Sequence, residues 1–207
     1  LLKKGEIVDI IDEQFHHLAN VLRVKTGEQF IIGDKENNEF VGVINKIEKK
    51  SLSIELIDYH YRVDLHYPEI SLFFPLLKGD RSDDIIKKCC EIGVDNFIPV
   101  ISKNSVIKID EENSEKKLKK WQTIAIESSM QCGRLKIPNI LPVTKIGDIE
   151  KYTDGNFKIV GLIEKNSKNL INTLNENKNF DKISLLIGPE GDFTKDEVEY
   201  LKKNNLF

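Results

Sequence analysis

Hydrophobic positions follow one rhythm in the first third of the chain and another afterwards. Over 51–57, Leu52, Ile54 and Leu56 alternate with Ser51, Ser53 and Glu55, the period-two pattern of a half-buried strand. Shorter runs of the same texture predict strands over 7–10, 29–33 and 40–47. Between the first two, 13–21 predicts a brief helix with Phe15, Leu18, Ala19 and Leu22 on one side. Gly27-Glu28 and Asn37-Asn38 supply turns. A small β-barrel is the natural closure for several short strands.

From residue 70 strands and helices alternate. Strands are predicted over 70–77, 97–101, 157–163 and 183–187. A helix capped by Asp80 or Ser82 runs to Glu91, with Ile85, Ile86, Cys89, Cys90 and Ile92 as its apolar face and Gly93 at C′. A long helix over 114–130 carries Leu118, Trp121, Ala125 and Ser128 on one stripe, and a short helix covers 167–175. Lys116, Lys117, Lys119 and Lys120 crowd the first turns of the long helix, where cations oppose the helix dipole; they form a solvated face or meet a partner anion. Such alternation implies a parallel sheet with helices on both faces. Residues 58–69, aromatic, charged and interrupted by Pro68, read as a linker whose tyrosines pack between domains or stack on bases. The expected organisation is therefore α/β overall, with a β unit and linker over 1–68 and an α/β domain over 69–207.

The last predicted strand leads into Gly188-Pro189-Glu190-Gly191-Asp192-Phe193 and then a helix. Thr194 is a good N-cap, and Glu197 has the spacing of a capping box. In open α/β sheets, ligands bind where such loops leave the carboxyl ends of strands. Two glycines allow close approach to the backbone, and Pro189 stiffens the turn. Neither phosphate-cradling glycine fingerprint is present, and Glu190 would repel a pyrophosphate. It suits a cationic ligand or bonds backbone amides. The competing reading is an ordinary tight strand-to-helix turn.

Composition narrows the classes. The sequence has 207 residues, 40% hydrophobic, enough for a real core, with no apolar run of transmembrane length. No signal peptide precedes the first charges, and the chain opens at Leu1 without methionine. Cys89, Cys90 and Cys132 show no metal spacing or disulfide framework and read as small packing residues in a reducing cytosol. His16 and His17 lack a third ligand, so no metal is expected. Net charge is −3, which confines any nucleic-acid site to a local patch.

The string LLIGPEGDFTKDE resembles the cofactor loop of the ribosomal RNA small subunit methyltransferase E family, of the knotted SPOUT class. Three more stretches resemble the same family in order: His16-His17-Leu18-Ala19-Asn20-Val21-Leu22-Arg23 with Gly27-Glu28, its PUA-like RNA-binding domain; Lys78-Gly79-Asp80-Arg81 with the helix to Val94; and Trp121 to Arg134 followed by Pro138. Met130 departs from a family acid and Asn104 from a family arginine; neither is expected to touch the cofactor loop, and Asn104 weakens the RNA surface. The family continues beyond Phe207 with a strand and helix that close a trefoil knot and wall the cofactor pocket, so the resemblance implies truncation.

What the resemblance implies is methylation of N3 of a uridine in 16S rRNA by S-adenosylmethionine, in the cytoplasm, by a homodimer. Leu162, Ile163, Glu164, Ile187, Gly188, Pro189, Glu190 and Gly191 are the expected cofactor residues. Arg23, Lys78, Arg81, Lys88 and Arg134 are the expected RNA contacts. Arg134, following a helix and a glycine, is placed in an exposed loop; it faces the anion developing on the uridine or clamps a phosphate beside it. Glu190 and Glu91 are candidate bases by residue type alone. Two alternatives are a non-catalytic RNA-binding protein with a degenerate SPOUT domain, and a SPOUT enzyme with another RNA target.

Overall fold

A computed structural model describes residues 2–34, 38–60, 68–105, 107, 110–134, 136–153, 157–162, 167–177 and 180–205. The chain divides into two units, residues 1–65 and 66–207.

The first unit is an antiparallel sheet of four strands, β1 (Ile7–Ile11), β2 (Gln29–Gly33), β3 (Glu39–Ile47) and β4 (Ser51–Tyr59), in the order β1-β4-β3-β2. Among the described residues β1 and β2 stand at its edges. The predicted alternation in β4 is seen directly: Leu52, Ile54 and Leu56 are buried, and the residues between them are not. Ile54 pairs with Ile44 of β3. Gly42 is forced by packing, since a Cβ there would stand 2.6 Å from both Ile32 and Ile54 side-chain carbons.

The single helix expected over 13–21 is two pieces, α1 (Asp12–His16) and a π-helical turn (His17–Val21) closed by the Leu22 amide donating to the His17 carbonyl at 3.0 Å. Phe15 and Leu18 pack on Val24, Ile44, Leu52 and Ile54. Arg23 adopts φ 53°, a left-handed reversal that returns Val24 to this core.

The second unit is a parallel sheet of β5 (Glu69–Pro75), β6 (Asn96–Ile101), β7 (Asn139–Ile140), β8 (Thr144–Lys145), β9 (Phe157–Gly161) and β10 (Lys182–Ile187). The order is β7-β6-β5-β10-β9, with β8 also on β6. Both faces are covered, because neighbouring residues of a strand point to opposite sides. Leu72 and Phe74 meet α2 (Arg81–Glu91) and α3 (Glu111–Cys132) through Ile86, Cys90, Trp121 and Ala125. Phe73, Ile98, Val100 and Leu186 meet a 3₁₀ helix (Ile146–Tyr152) and α5 (Lys195–Lys203) through Ile149 and Leu201. A short α4 (Leu170–Glu176) precedes β10, its Asn169 side chain accepting from the Ile171 amide.

Three local expectations are corrected. The long helix starts earlier than 114, at an Asp110 cap whose side chain accepts from the Asn113 amide. Its lysines are therefore beyond the first turn, and two of them have anions within the chain: Lys116 pairs with Glu112, and Lys120 with Asp80 and Asp83. At the start of α2, Ser82 does not cap the helix; its hydroxyl accepts from the Leu77 amide, and Asp80 occupies the N-cap without a side-chain bond. Among the described residues there is no helix long and apolar enough to cross a membrane.

Candidate active site

Pairing in the parallel sheet brings two predicted cofactor segments together. Gly161 of β9 lies in register with Ile187 of β10, so Leu162 and the 188–191 loop leave adjacent strands at the same edge. Ile163 and Glu164 lie outside the described residues. Ile187 remains 42% exposed at this rim although it is a large apolar residue, and Leu162 is half-buried. Pro189 is buried and anchors the loop, while Glu190 and Gly191 are exposed. The Asp192 amide donates to the Pro189 carbonyl at 2.9 Å, which makes a tight turn with Glu190 and Gly191 at its centre.

Neither loop glycine uses a left-handed backbone; Asp192 does, at φ 57°. Close packing favours glycine at both positions, more strongly at Gly188. A Cβ on Gly188 would stand 3.0 Å from the Phe193 ring, and one on Gly191 3.3 Å from the Asn104 Cβ. Phe193 is buried against the core, so that ring cannot retreat freely.

The loop is tied to the turn that follows β6. Asn104 Nδ2 donates to the carbonyls of Gly191 and Asp192, each at 3.0 Å. The Thr194–Glu197 capping box forms as expected. Glu197 also accepts from the Lys103 amide at 2.7 Å, and Lys103 Nζ meets Asp196 at 2.6 Å. That hydrogen bond and the opposite charge hold the Asp196 carboxyl below its ordinary range and push the Lys103 ammonium above its own. The sequence shows the capping box but not the Lys103 and Asn104 contacts, because their partners lie some 90 residues away.

Among the expected RNA contacts, Arg81 reaches this edge and bonds Glu190 at 3.3 Å, both side chains largely in solvent. Lys78 is exposed in the same β5–α2 connection. Arg23, exposed in the first unit, has the strained backbone described above.

Arg134 is elsewhere, and the expectation of an exposed loop is wrong. Gly133, at φ 69°, ends α3 and turns the chain back. The Arg134 guanidinium then donates to the Cys90 carbonyl at 3.1 Å, to the Val94 carbonyl, and to Asp95 at 2.7 Å. Those groups belong to the end of α2, where the Gly93 and Val94 amides bond the Cys90 and Cys89 carbonyls in a Schellman closure. Asp95 completes the knot of contacts by accepting from the Ile70 amide. All of this lies at the amino edge of the strands, roughly 17 Å of β6 from the glycine loop. Lys88 and Glu91, on the last turn of α2, lie at that same edge, so Glu91 is not beside the loop.

The residues fit S-adenosylmethionine. Ile187 and Leu162 offer an apolar rim for a purine, Gly161 and Gly191 are exposed beside it, and Arg81 offsets the Glu190 charge. Among the described residues no group of three His, Cys, Asp or Glu side chains could hold a metal ion.

Comparison with known proteins assigns both units of the chain. Residues 65–206 match an RNA methyltransferase domain, and residues 10–57 match an RNA methyltransferase PUA domain. The chain is 30% identical to ribosomal RNA small subunit methyltransferase E 2 of Borreliella burgdorferi, over 98% of this chain and 82% of that protein. It is 26% identical to ribosomal RNA small subunit methyltransferase E of Bacillus subtilis, over 99% of this chain and 82% of the relative. A crystal structure of the Neisseria gonorrhoeae methyltransferase E bound to S-adenosylmethionine superposes with TM-score 0.83 at 27% identity, covering 99% of this chain and 83% of the other.

Proposed function

Since this chain belongs to the ribosomal RNA small subunit methyltransferase E family, we propose that it methylates N3 of a uridine in 16S rRNA, using S-adenosylmethionine. The observation that carries the reading is the glycine loop leaving β10 beside Gly161 and Leu162 at the carboxyl edge of a parallel sheet. Bound there, S-adenosylmethionine supplies an activated methyl group from its sulfonium.

The chain's own residues perform the positioning. Leu162, Ile187 and the backbone of 188–191 hold the cofactor, and the buried Pro189 and Phe193 keep that backbone in place. Arg81 and Lys78 meet the RNA backbone next to the cofactor, where cations also favour the anion formed as N3 loses its proton. Arg23 contacts RNA from the first unit, which serves as the RNA-binding domain. Arg134, bound as it is to Asp95 and two carbonyls, acts as a structural clamp. Lys88 adds positive charge at the amino edge.

A homodimer is part of this proposal. Ile92 and Met130, large apolar side chains left exposed at the carboxyl ends of α2 and α3, offer surface for a second copy to cover. A ribosomal RNA substrate places the protein in the cytoplasm.

The test is transfer of a labelled methyl group to small ribosomal subunits lacking the modification, followed by nucleoside analysis. N3-methyluridine is the expected product. Label on a different base would overturn the target assignment. Absence of label with folded protein that still binds rRNA would overturn catalysis itself.

A further inference from the structure

Two consecutive carbonyls at the outer end of the glycine loop are held by one side chain on another strand's exit. The Asn104 amide nitrogen has two hydrogens, and its two acceptors are the consecutive carbonyls of Gly191 and Asp192. Asp192, whose carbonyl is the second acceptor, takes a left-handed backbone. Both peptide planes are fixed from the other side too: the Asp192 amide donates to Pro189, and the Phe193 amide to the Asp192 carboxylate.

Asn104 is itself held still. The Ser105 hydroxyl accepts from the Ser102 amide at 2.9 Å, and the Ser105 amide donates to the Ser102 carbonyl at 3.1 Å. One residue earlier, the Lys103 amide ends on the buried Glu197 carboxylate, which belongs to the helix that the loop enters. The absence of a Cβ at Gly191 lets this clamp close, since Asn104 already stands at the distance a Cβ would fill.

We infer that Asn104 is a positioning residue: its side-chain amide pre-forms the 188–193 loop and thereby sets the affinity for S-adenosylmethionine. This rests on the proposal that the loop holds that cofactor. A binding loop ordered before the ligand arrives loses less entropy on binding, so a rigid clamp appears in cofactor affinity. Asparagine points both hydrogens of its amide nitrogen into the loop. The expectation that Asn104 stands clear of this loop is thus corrected, because the exit of β6 runs beside it.

The experiment uses the full chain, with calorimetric titration of S-adenosylmethionine into wild type, Asn104→Ala and Asn104→Asp. Steady-state methylation, rRNA affinity and thermal melting are measured on the same preparations. Aspartate is close to isosteric but turns the donor into a charged acceptor facing two carbonyls. The expected cofactor Kd rises about tenfold in the alanine variant, the order that two lost hydrogen bonds produce, and further in the aspartate variant. KM for the cofactor rises in parallel, while kcat at saturation and rRNA affinity stay within about twofold, a split that general destabilisation does not give. Unchanged Kd in both variants, with wild type binding normally, would overturn the role of Asn104 and leave the cofactor site standing. Loss of cofactor and rRNA affinity together, in step with a lowered melting temperature, would also overturn it. A wild-type protein that is folded and binds no cofactor would remove the site on which the inference rests.

Discussion

Arg134 and Asp95 form a 2.7 Å ion pair in which the side chains are only 16% and 12% exposed. The pair joins the exit of α3 to the turn between α2 and β6, and Lys136 adds a second cation to Asp95 at 3.3 Å. Truncating one partner leaves the other charge poorly solvated, together with two carbonyls that lose a donor. Arg134→Ala is expected to cost roughly 2–4 kcal/mol, read as a lowered midpoint in urea. Cofactor affinity below the unfolding transition is expected to be unchanged, because the clamp is at the opposite edge of the sheet. A variant of wild-type stability with lost turnover would restore a direct chemical role.

The Arg81–Glu190 pair is the opposite case. With both side chains largely in solvent, it contributes little to stability. Arg81→Ala is expected to melt within about 1–2 °C of wild type, as exposed pairs do. If Arg81 meets phosphate, rRNA affinity falls severalfold and the slope of log K against log salt drops by about 1 unit. An unaltered salt slope would exclude the contact.

Gly188 and Gly191 predict graded responses to a single methyl group. Gly188→Ala pushes a Cβ against the buried Phe193 ring and is expected to cost about 1–3 kcal/mol, with loss of cofactor binding. Gly191→Ala meets the Asn104 Cβ at the longer distance of 3.3 Å and needs a shift of only a few tenths of an ångström, so its stability cost is smaller, with the Asn104 bonds loosened rather than lost. Chemical denaturation and cofactor titration of both variants check the order.

Arg23 carries a left-handed backbone that glycine would adopt without strain. Arg23→Gly is expected to stabilise the protein by roughly 0.5–1 kcal/mol, after the added freedom of the unfolded chain is counted. rRNA affinity is expected to fall in the same variant. Stability gained and binding lost together would mark strain kept for function; unchanged binding would not.

The Lys103–Asp196 bridge predicts a pH window for the junction between the β6 exit and α5. Asp196 titrates below its unfolded value, so its contribution is present above about pH 4 and is lost as pH falls through the lowered folded value. Lys103 titrates above its unfolded value, so its contribution is present below about pH 10.5 and is lost as pH rises beyond that. Between those limits the bridge is constant. Asp196→Asn is expected to flatten the acid side of this dependence, measured by exchange of the Lys103 amide; an unchanged acid limb would place the titration elsewhere.

Local order was legible in the chain itself. Alternation at Leu52, Ile54 and Leu56, the Thr194–Glu197 capping box and Gly93 after α2 each depend on neighbours a few residues away, so their spacing already specifies them. The glycine loop at a strand's carboxyl end was legible for the same reason. Tertiary structure alone decided what the polar side chains do. Arg134 reads as an exposed arginine until α2 ends beside it, because Cys90, Val94 and Asp95 are some 40 residues distant. Asn104 reads as a weakened RNA surface until parallel pairing sets the β6 exit against Gly191 and Asp192. Hydrophobic period is a one-dimensional property and fixes the elements; a hydrogen bond's partner is chosen by how those elements pack, which no local pattern records.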